Sequence, residues 1–244
     1  MEQEISHSLI QDEAVRSPVP SGDQKLPCMG HLKRLLGCRT SRVVPPEHVI
    51  FTQGEPPHSI CLLCSGVVKL THTNPNGGRV ILGTRQKGWI LGAVSRLLNL
   101  HYEVTAETVT RSRLCLVPSG VFLDAMASDI KFAGWITLMM SLGLRDSLLR
   151  ISDQSTLSGR QRLEKFLWMA AQAKNGSNFE KSTKIQMSLK SWEVAQLLAI
   201  SPQHLCRLIK QLEKEGVVER RNGWLIVPNP GKLWNSEAAS GDMP

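Results

Sequence analysis

Residues 188–227, SLKSWEVAQLLAISPQHLCRLIKQLEKEGVVERRNGWLIV, decide the architecture of this chain. Val194, Ala195, Leu197 and Leu198 recur at the i, i+3, i+4 spacing that buries one face of a helix. Ser201-Pro202 then restarts the chain. The serine hydroxyl can accept an orphan N–H as N-cap, and proline suits the first helical position, where its missing N–H costs nothing. The second helix turns Leu205, Leu208, Ile209 and Leu212 inward and Gln203, His204, Arg207 and Lys210 outward. Glu215-Gly216 closes it with a C′ glycine. Val217-Val218 and Trp224 to Val227 flank Arg221-Asn222-Gly223, and Asn-Gly is a strong hairpin signal because a type I′ turn needs positive φ twice. The expected unit is a winged helix-turn-helix. Polar donors in the first two turns of its second helix suit the major groove, and basic hairpin residues suit phosphate. The expected DNA-facing set is Ser201, Gln203, His204, Arg207, Lys210, Arg220 and Arg221. A merely solvated helix pair is the plainer alternative. Against it stand the short turn, the scarcity of acids before Glu213, and the 13 Lys/Arg facing 6 Asp/Glu between Ser155 and Trp234.

Charge is uneven along the 244 residues, whose formal total is +8. Residues 1–24 hold 1 basic and 5 acidic residues, and residues 235–244 hold 2 acids. Both ends are polar and rich in Ser, Gly or Pro, so disorder is expected there. The remaining body is about +14, which suits a polyanionic partner and a salt-sensitive affinity. No apolar run reaches the ~18 residues of a membrane span, and the acidic start lacks a secretory signal. The expected location is the cytoplasm, with no membrane partner.

The six cysteines are Cys28, Cys38, Cys61, Cys64, Cys115 and Cys206. In a cytoplasmic chain they are expected to stay reduced. Cys61-x-x-Cys64 lies in a strand pattern, where residues three apart point to opposite faces, so the two thiols cannot share a metal or a bridge. They are expected to be buried structural thiols.

From Val43 to Val117 short apolar or alternating runs are cut by Gly, Pro and Asn. Strands are expected around residues 49–51, 60–63, 67–70, 80–82, 89–91, 104–106 and 114–117, with Asn74-Pro75-Asn76-Gly77-Gly78 as a hairpin turn. Many short strands with regular turns imply a jelly-roll barrel. Residues 129–152 follow as one helix that is apolar on more than one face, so one stripe can cover the barrel. Leu144, Leu148 and Ile151 keep a 3–4 spacing past the first charges and are expected to form a dimer seam. A helix over Gly159 to Ala173, with Leu163, Phe166, Leu167, Met169 and Ala170 inward, opens the basic domain. The fold class is α+β: an N-terminal jelly-roll β-barrel, a long dimerisation helix and a C-terminal winged helix-turn-helix. The expected plan is an arm at 1–24, the barrel at 25–128, the helix at 129–154, the reader at 155–234 and a tail at 235–244.

In this order and spacing the chain resembles the CRP/FNR family of bacterial transcription regulators. The resemblance rests on Phe51-Thr52-Gln53-Gly54-Glu55, Leu63 to Leu70, Gly88-Trp89-Ile90-Leu91-Gly92, Glu193 to Leu198, and Arg207 to Gly216. It implies an effector-sensing barrel, a homodimer built on the long helix, binding of double-stranded DNA at an inverted repeat, and RNA polymerase as a further partner. Cyclic-AMP-binding members of the family follow the glycine at Gly92 with a Glu for the ribose. They later place an Arg on the phosphate. Here Ala93 takes the first place and Leu100-His101-Tyr102-Glu103-Val104 carries no Arg, so a phosphate would be buried without its guanidinium. Cyclic AMP is therefore not the expected effector. An effector pocket is expected around Gly92, Ala93, Val94, Tyr102 and Glu103. Cluster-bearing members use closely spaced N-terminal cysteines plus one near the position of Cys115, and Cys28 and Cys38 are too few and too far apart for that. His72 and His101 are candidate haem ligands by type alone. The effector, small molecule or redox, and any cofactor stay unassigned.

The reading helix departs from the cyclic-AMP members too. They carry Arg and Glu after the cap serine where this chain has Pro202 and Gln203, whereas Arg207 matches the family's base-contacting Arg. Arg suits a guanine edge and Gln an adenine edge. Two alternatives belong to other classes: a cupin-type metalloenzyme, which needs a His-x-His that none of the seven histidines forms, and a dimeric ligand-binding module with a vestigial reader.

Overall fold

A computed structural model describes residues 29–38, 40–175, 181–185, 187–221 and 224–234. The expectations of a disordered arm and tail, the Asn222-Gly223 turn and Cys28 all lie outside the described residues. Helix α1 (Met29–Leu35) precedes eight strands: β1 (Arg42–Val44), β2 (Val49–Phe51), β3 (Ser59–Ser65), β4 (Val68–Thr73), β5 (Arg79–Arg85), β6 (Ile90–Leu91), β7 (Thr105–Thr108) and β8 (Ser112–Pro118). A short helix α2 (Ala93–Leu97) sits between β6 and β7. The strands form two antiparallel four-stranded sheets, ordered β1-β8-β3-β6 and β2-β7-β4-β5. The Asn74 to Gly78 turn joins β4 to β5 as expected, with Gly77 N–H donating to Asn74 O at 2.8 Å. β1 was not among the expected strands. It is three residues long, with only Val44 buried, and such a short edge strand carries little periodicity.

Helices α3 (Ser119–Ser128) and α4 (Ile130–Thr156) follow the barrel. Asp129 caps α4, its carboxylate accepting from the N–H groups of Lys131 and Phe132. The first half of α4 buries Phe132, Trp135, Ile136, Met139 and Leu142 in the barrel core. Its second half runs out with Leu144, Leu148, Leu149 and Ile151 exposed.

The last third contains α5 (Gly159–Asn175), β9 (Thr183–Ile185), α6 (Ser191–Leu197), α7 (Pro202–Lys214), β10 (Glu219–Arg221) and β11 (Trp224–Val227), with a 3-10 turn at Pro230–Lys232. β9 completes a three-stranded sheet, β10-β11-β9, that the sequence reading reduced to a two-stranded hairpin. Its first hairpin strand was placed too early: Val218 is buried with the helices, and β10 begins at Glu219. This domain has its own apolar core, including Leu163, Ile185, Val194, Leu205, Leu212 and Val227.

The cysteines divide. Cys61 and Cys64 are buried free thiols on β3, as expected, and burial pushes Cys61 up to about 12. The expectation of reduced cysteines fails at one pair, because Cys38 and Cys115 form a disulfide with Cα atoms 6.1 Å apart. The chain beyond α1 brings Cys38 against β8, a contact between residues 77 apart that no local pattern announces.

Candidate functional site

The reading surface is built on α7. Ser201 Oγ accepts from His204 N–H at 3.1 Å, which fixes the start of the helix, and Leu205, Leu208, Ile209 and Leu212 are all buried. The opposite face leaves Gln203, Arg207 and Lys210 exposed. Arg207 has no ion-pair partner among the described residues; the nearby Glu213 faces Arg220 instead, at 3.5 Å. Arg221 pairs with Glu219 at 2.8 Å, so both hairpin arginines already meet an acid. His204 is only half exposed, and a Cβ placed on Gly159 would lie 3.2 Å from its ring. It contributes to the packing of α7 on α5 as well as to the surface.

Other cations hold the frame. Arg160 donates to Glu164 at 2.8 Å and to Glu215 at 2.8 Å, and these bonds raise its pKa. Arg162 donates to Leu198 O at 2.8 Å and to Leu157 O at 2.5 Å, closing carbonyls at the ends of α6 and α4. The turn between α6 and α7 carries Ala199 at φ 51°, a left-handed conformation that costs a non-glycine residue about 1 kcal/mol.

The reader is also fixed to the barrel. Lys69 on β4 is 6% exposed, and its Nζ lies 2.6 Å from Glu193 on α6 and 2.7 Å from Glu107 on β7. Arg79 reaches the other oxygen of Glu107 at 2.9 Å, and the second oxygen of Glu193 accepts the N–H of Lys190 at the start of α6. Burial opposes ionisation of Glu107, but the bonds from Lys69 and Arg79 outweigh it and hold the carboxyl below the usual carboxylate range. Gln196 adds a bond to Arg79 O at 3.2 Å. The signal for this contact was a lysine inside the run Val67-Val68-Lys69-Leu70. Period-2 alternation puts it on the face opposite the barrel core, and its burial there requires a partner.

A cavity of about 710 Å³ opens between the barrel and α4. Gly92, Ala93, Val94 and Glu103 line it, four of the five expected pocket residues. Tyr102 does not. Its ring stacks on Phe51 at 4.0 Å and its hydroxyl donates to Ser59 O, so it belongs to the barrel wall. Gly92 sits at φ 83°, and a Cβ there would come within 2.9 Å of the Tyr102 ring, so glycine is required. His72 uses Nδ1 on Glu103 O at 2.9 Å and His101 is exposed. Among the described residues no group of three or more His, Cys, Asp or Glu could hold a metal ion.

A guanidinium does line the cavity, not after Gly92 but from the end of β5, where Arg85 stands outside the expected pocket residues. Its guanidinium stacks on Trp89, 4.4 Å from the ring centroid. Desolvation, with Arg150 nearby, pulls its pKa down to about 10. Its inward aim follows from register: Arg85 pairs with Val68 of the barrel core, whereas Ile81 pairs with Thr71 beyond a β-bulge, so alternation along β5 does not announce it.

An eight-stranded barrel, a long helix packed on it and a helix-turn-helix with a small sheet define a two-domain class of DNA-binding regulators. Residues 41–129 match the model of the cyclic nucleotide-binding domain, and residues 161–235 match that of the Crp-like helix-turn-helix domain. The chain belongs to the CRP/FNR family and is a CRP-like transcription regulator. The anaerobic regulatory protein of Pasteurella multocida is 18% identical over 184 residues, covering 75% of this chain and 67% of that protein. The CRP-like protein Clp of Xanthomonas euvesicatoria is 21% identical over 204 residues, covering 81% and 88%. The solved structure of the c-di-GMP-responsive regulator CLP of Xanthomonas campestris superposes with a TM-score of 0.67 at 19% identity, covering 81% of this chain and 98% of that one, a likeness of fold. Regulators of this family bind DNA and act as dimers. No described helix is long and apolar enough to cross a membrane.

Proposed function

We propose that this chain is a homodimeric, sequence-specific regulator that reads an inverted-repeat operator with paired α7 helices, under the control of an effector held in the barrel cavity. The observation that carries the reading is the exposed Arg207, with Gln203 and Lys210 beside it, on a helix whose other face is fully buried. The exposed seam Leu144, Leu148 and Ile151 supports the dimer, since burying it removes apolar area from water at ~25 cal/mol per Å². Residues 129–154 are the dimerisation segment and 155–234 the reader. The protein works in the cytoplasm with RNA polymerase as its further partner. Cyclic AMP is not the effector: Ala93 supplies no carboxylate to a ribose, and Arg85 stacks on Trp89 rather than standing on the loop after α2.

The test pairs sedimentation with a mobility shift on an inverted repeat selected from random DNA. The wild type should run as a dimer and shift the repeat at nanomolar concentration. Leu148→Asp should run as a monomer and lose affinity by about 10²- to 10⁴-fold, the gain that linking two half-site contacts supplies. An unchanged mass and affinity would place the seam elsewhere. Micromolar cyclic AMP binding by calorimetry would overturn the effector statement.

A further inference from the structure

The cavity has one apolar wall and one cationic end. Met139 is buried, Met140 is half-buried, and Leu70 and Ile90 face the same space. At the cationic end Arg85 and Trp89 lie against α4 at Gly143, where an added Cβ would stand 3.6 Å from the Trp89 ring and 3.8 Å from Arg85 Nη2. The Arg150 guanidinium converges on the same place. One nitrogen from each arginine lies within 3.3 Å of where a Cβ would stand on Gly83. Asp146 is the carboxylate whose charge acts on both arginines, and its buried Oδ2 has no hydrogen-bond partner among the described residues.

Two cations against one carboxylate leave one positive charge in a desolvated corner, a state that costs free energy until an anion arrives. Among the described residues Arg85 makes one protein hydrogen bond, to Thr84 O at 2.9 Å, and stacks on Trp89, so donors of its fork remain open there. A second donor, Trp135 Nε1, is buried without an acceptor among the described residues, and Trp135 lines the cavity. Glu103, the other charged residue of the lining, is exposed.

We propose that the cavity binds an amphipathic monocarboxylate, its carboxylate held by Arg85 and its apolar body lying along Met139 and Met140. The proposal rests on the reading of this cavity as the effector site. One negative charge balances the corner, whereas a phosphomonoester dianion overshoots it. A nucleoside body would set polar edges against an apolar wall. The cavity volume lies within the range of drug-sized ligand sites.

The experiment is calorimetry on the full-length protein with three ten-carbon probes: sodium decanoate, 1-decanol and decylamine. Decanoate should bind at least tenfold more tightly than decanol, and decylamine should bind more weakly than either. Arg85→Gln should lose the tenfold preference while keeping its decanol affinity, and Arg85→Lys, which keeps the charge, should retain a preference. The ranking in the wild type decides the matter even where a variant fails to fold. Decanoate binding no better than decanol, or decylamine binding best, overturns the proposal. A mobility shift on the same preparation separates the two readings. Intact operator binding without carboxylate preference removes only the ligand class, and failure to bind any DNA removes the regulator reading beneath it.

Discussion

The molecule holds two charge clusters away from solvent, and they are resolved in opposite ways. Around Lys69, at the junction of barrel and reader, cations and carboxylates are matched. Lys69 takes both Glu107 and Glu193, and Arg79 takes the remaining oxygen of Glu107. Around Arg85, at the cavity, two guanidiniums face one carboxylate and donors stay open. A matched cluster fixes structure, and an unmatched one awaits a ligand. The same contrast runs through the reader. Arg160 is held by two glutamates and Arg162 by carbonyls, whereas Arg207 stands exposed on α7. The cations to which a function is proposed are those the fold leaves uncommitted.

Substitutions should separate the two kinds. Lys69→Met removes the shared partner of two carboxylates and leaves Glu193 with the Lys190 N–H alone and Glu107 with Arg79 alone. It should cost about 3–5 kcal/mol in chemical denaturation. A loss below 1 kcal/mol would mean that the junction is wet and the comparison false.

Acid should weaken the matched cluster through Glu107. The Glu107 carboxyl ionises below its ordinary value of 4.5, so the stabilisation it gives is fully present above that value and is lost as pH falls through the lowered one. Urea midpoints measured from pH 6 to pH 3 should fall in this window, and Glu107→Gln should flatten the fall. An equally steep fall in the variant would assign the acid sensitivity to other carboxylates.

The smallest effect belongs to the unmatched cluster. Arg85→Gln removes a desolvated charge that no carboxylate fully offsets, so the ligand-free protein should stay within about 1 kcal/mol of wild type. A loss approaching that of Lys69→Met would make Arg85 a structural residue.

What the sequence made legible follows from local chemistry. Period-2 runs marked most barrel strands, and the cap at Ser201 with the buried spacing of Leu205 to Leu212 marked α7. Exposure of Leu144, Leu148 and Ile151 agrees with a stripe left over once the barrel is covered. The features missed join distant residues. Lys69 meets Glu193 across 124 positions, and Cys38 meets Cys115 across 77. Each half looks ordinary alone. Tyr102 was misplaced for a related reason: the match of residues 100–104 to the family's ligand-binding stretch put it at the cavity, while the connection between α2 and β7 sets its ring on Phe51. β9 was overlooked because three residues carry too little periodicity to stand out from a loop.

The most direct test of the account is a binding-site selection from random duplex DNA on the wild type and on Arg207→Ala, scored at fixed salt. The wild type should return an inverted repeat with half-site centres about 34 Å apart, one helical turn on one face of the DNA. Arg207→Ala should keep the repeat, lose a guanine preference at one position per half-site, and bind about 1–3 kcal/mol more weakly. Identical motifs from the two proteins, or a wild-type motif without two-fold symmetry, would contradict the assignment of Arg207 as a base reader in a paired recognition helix.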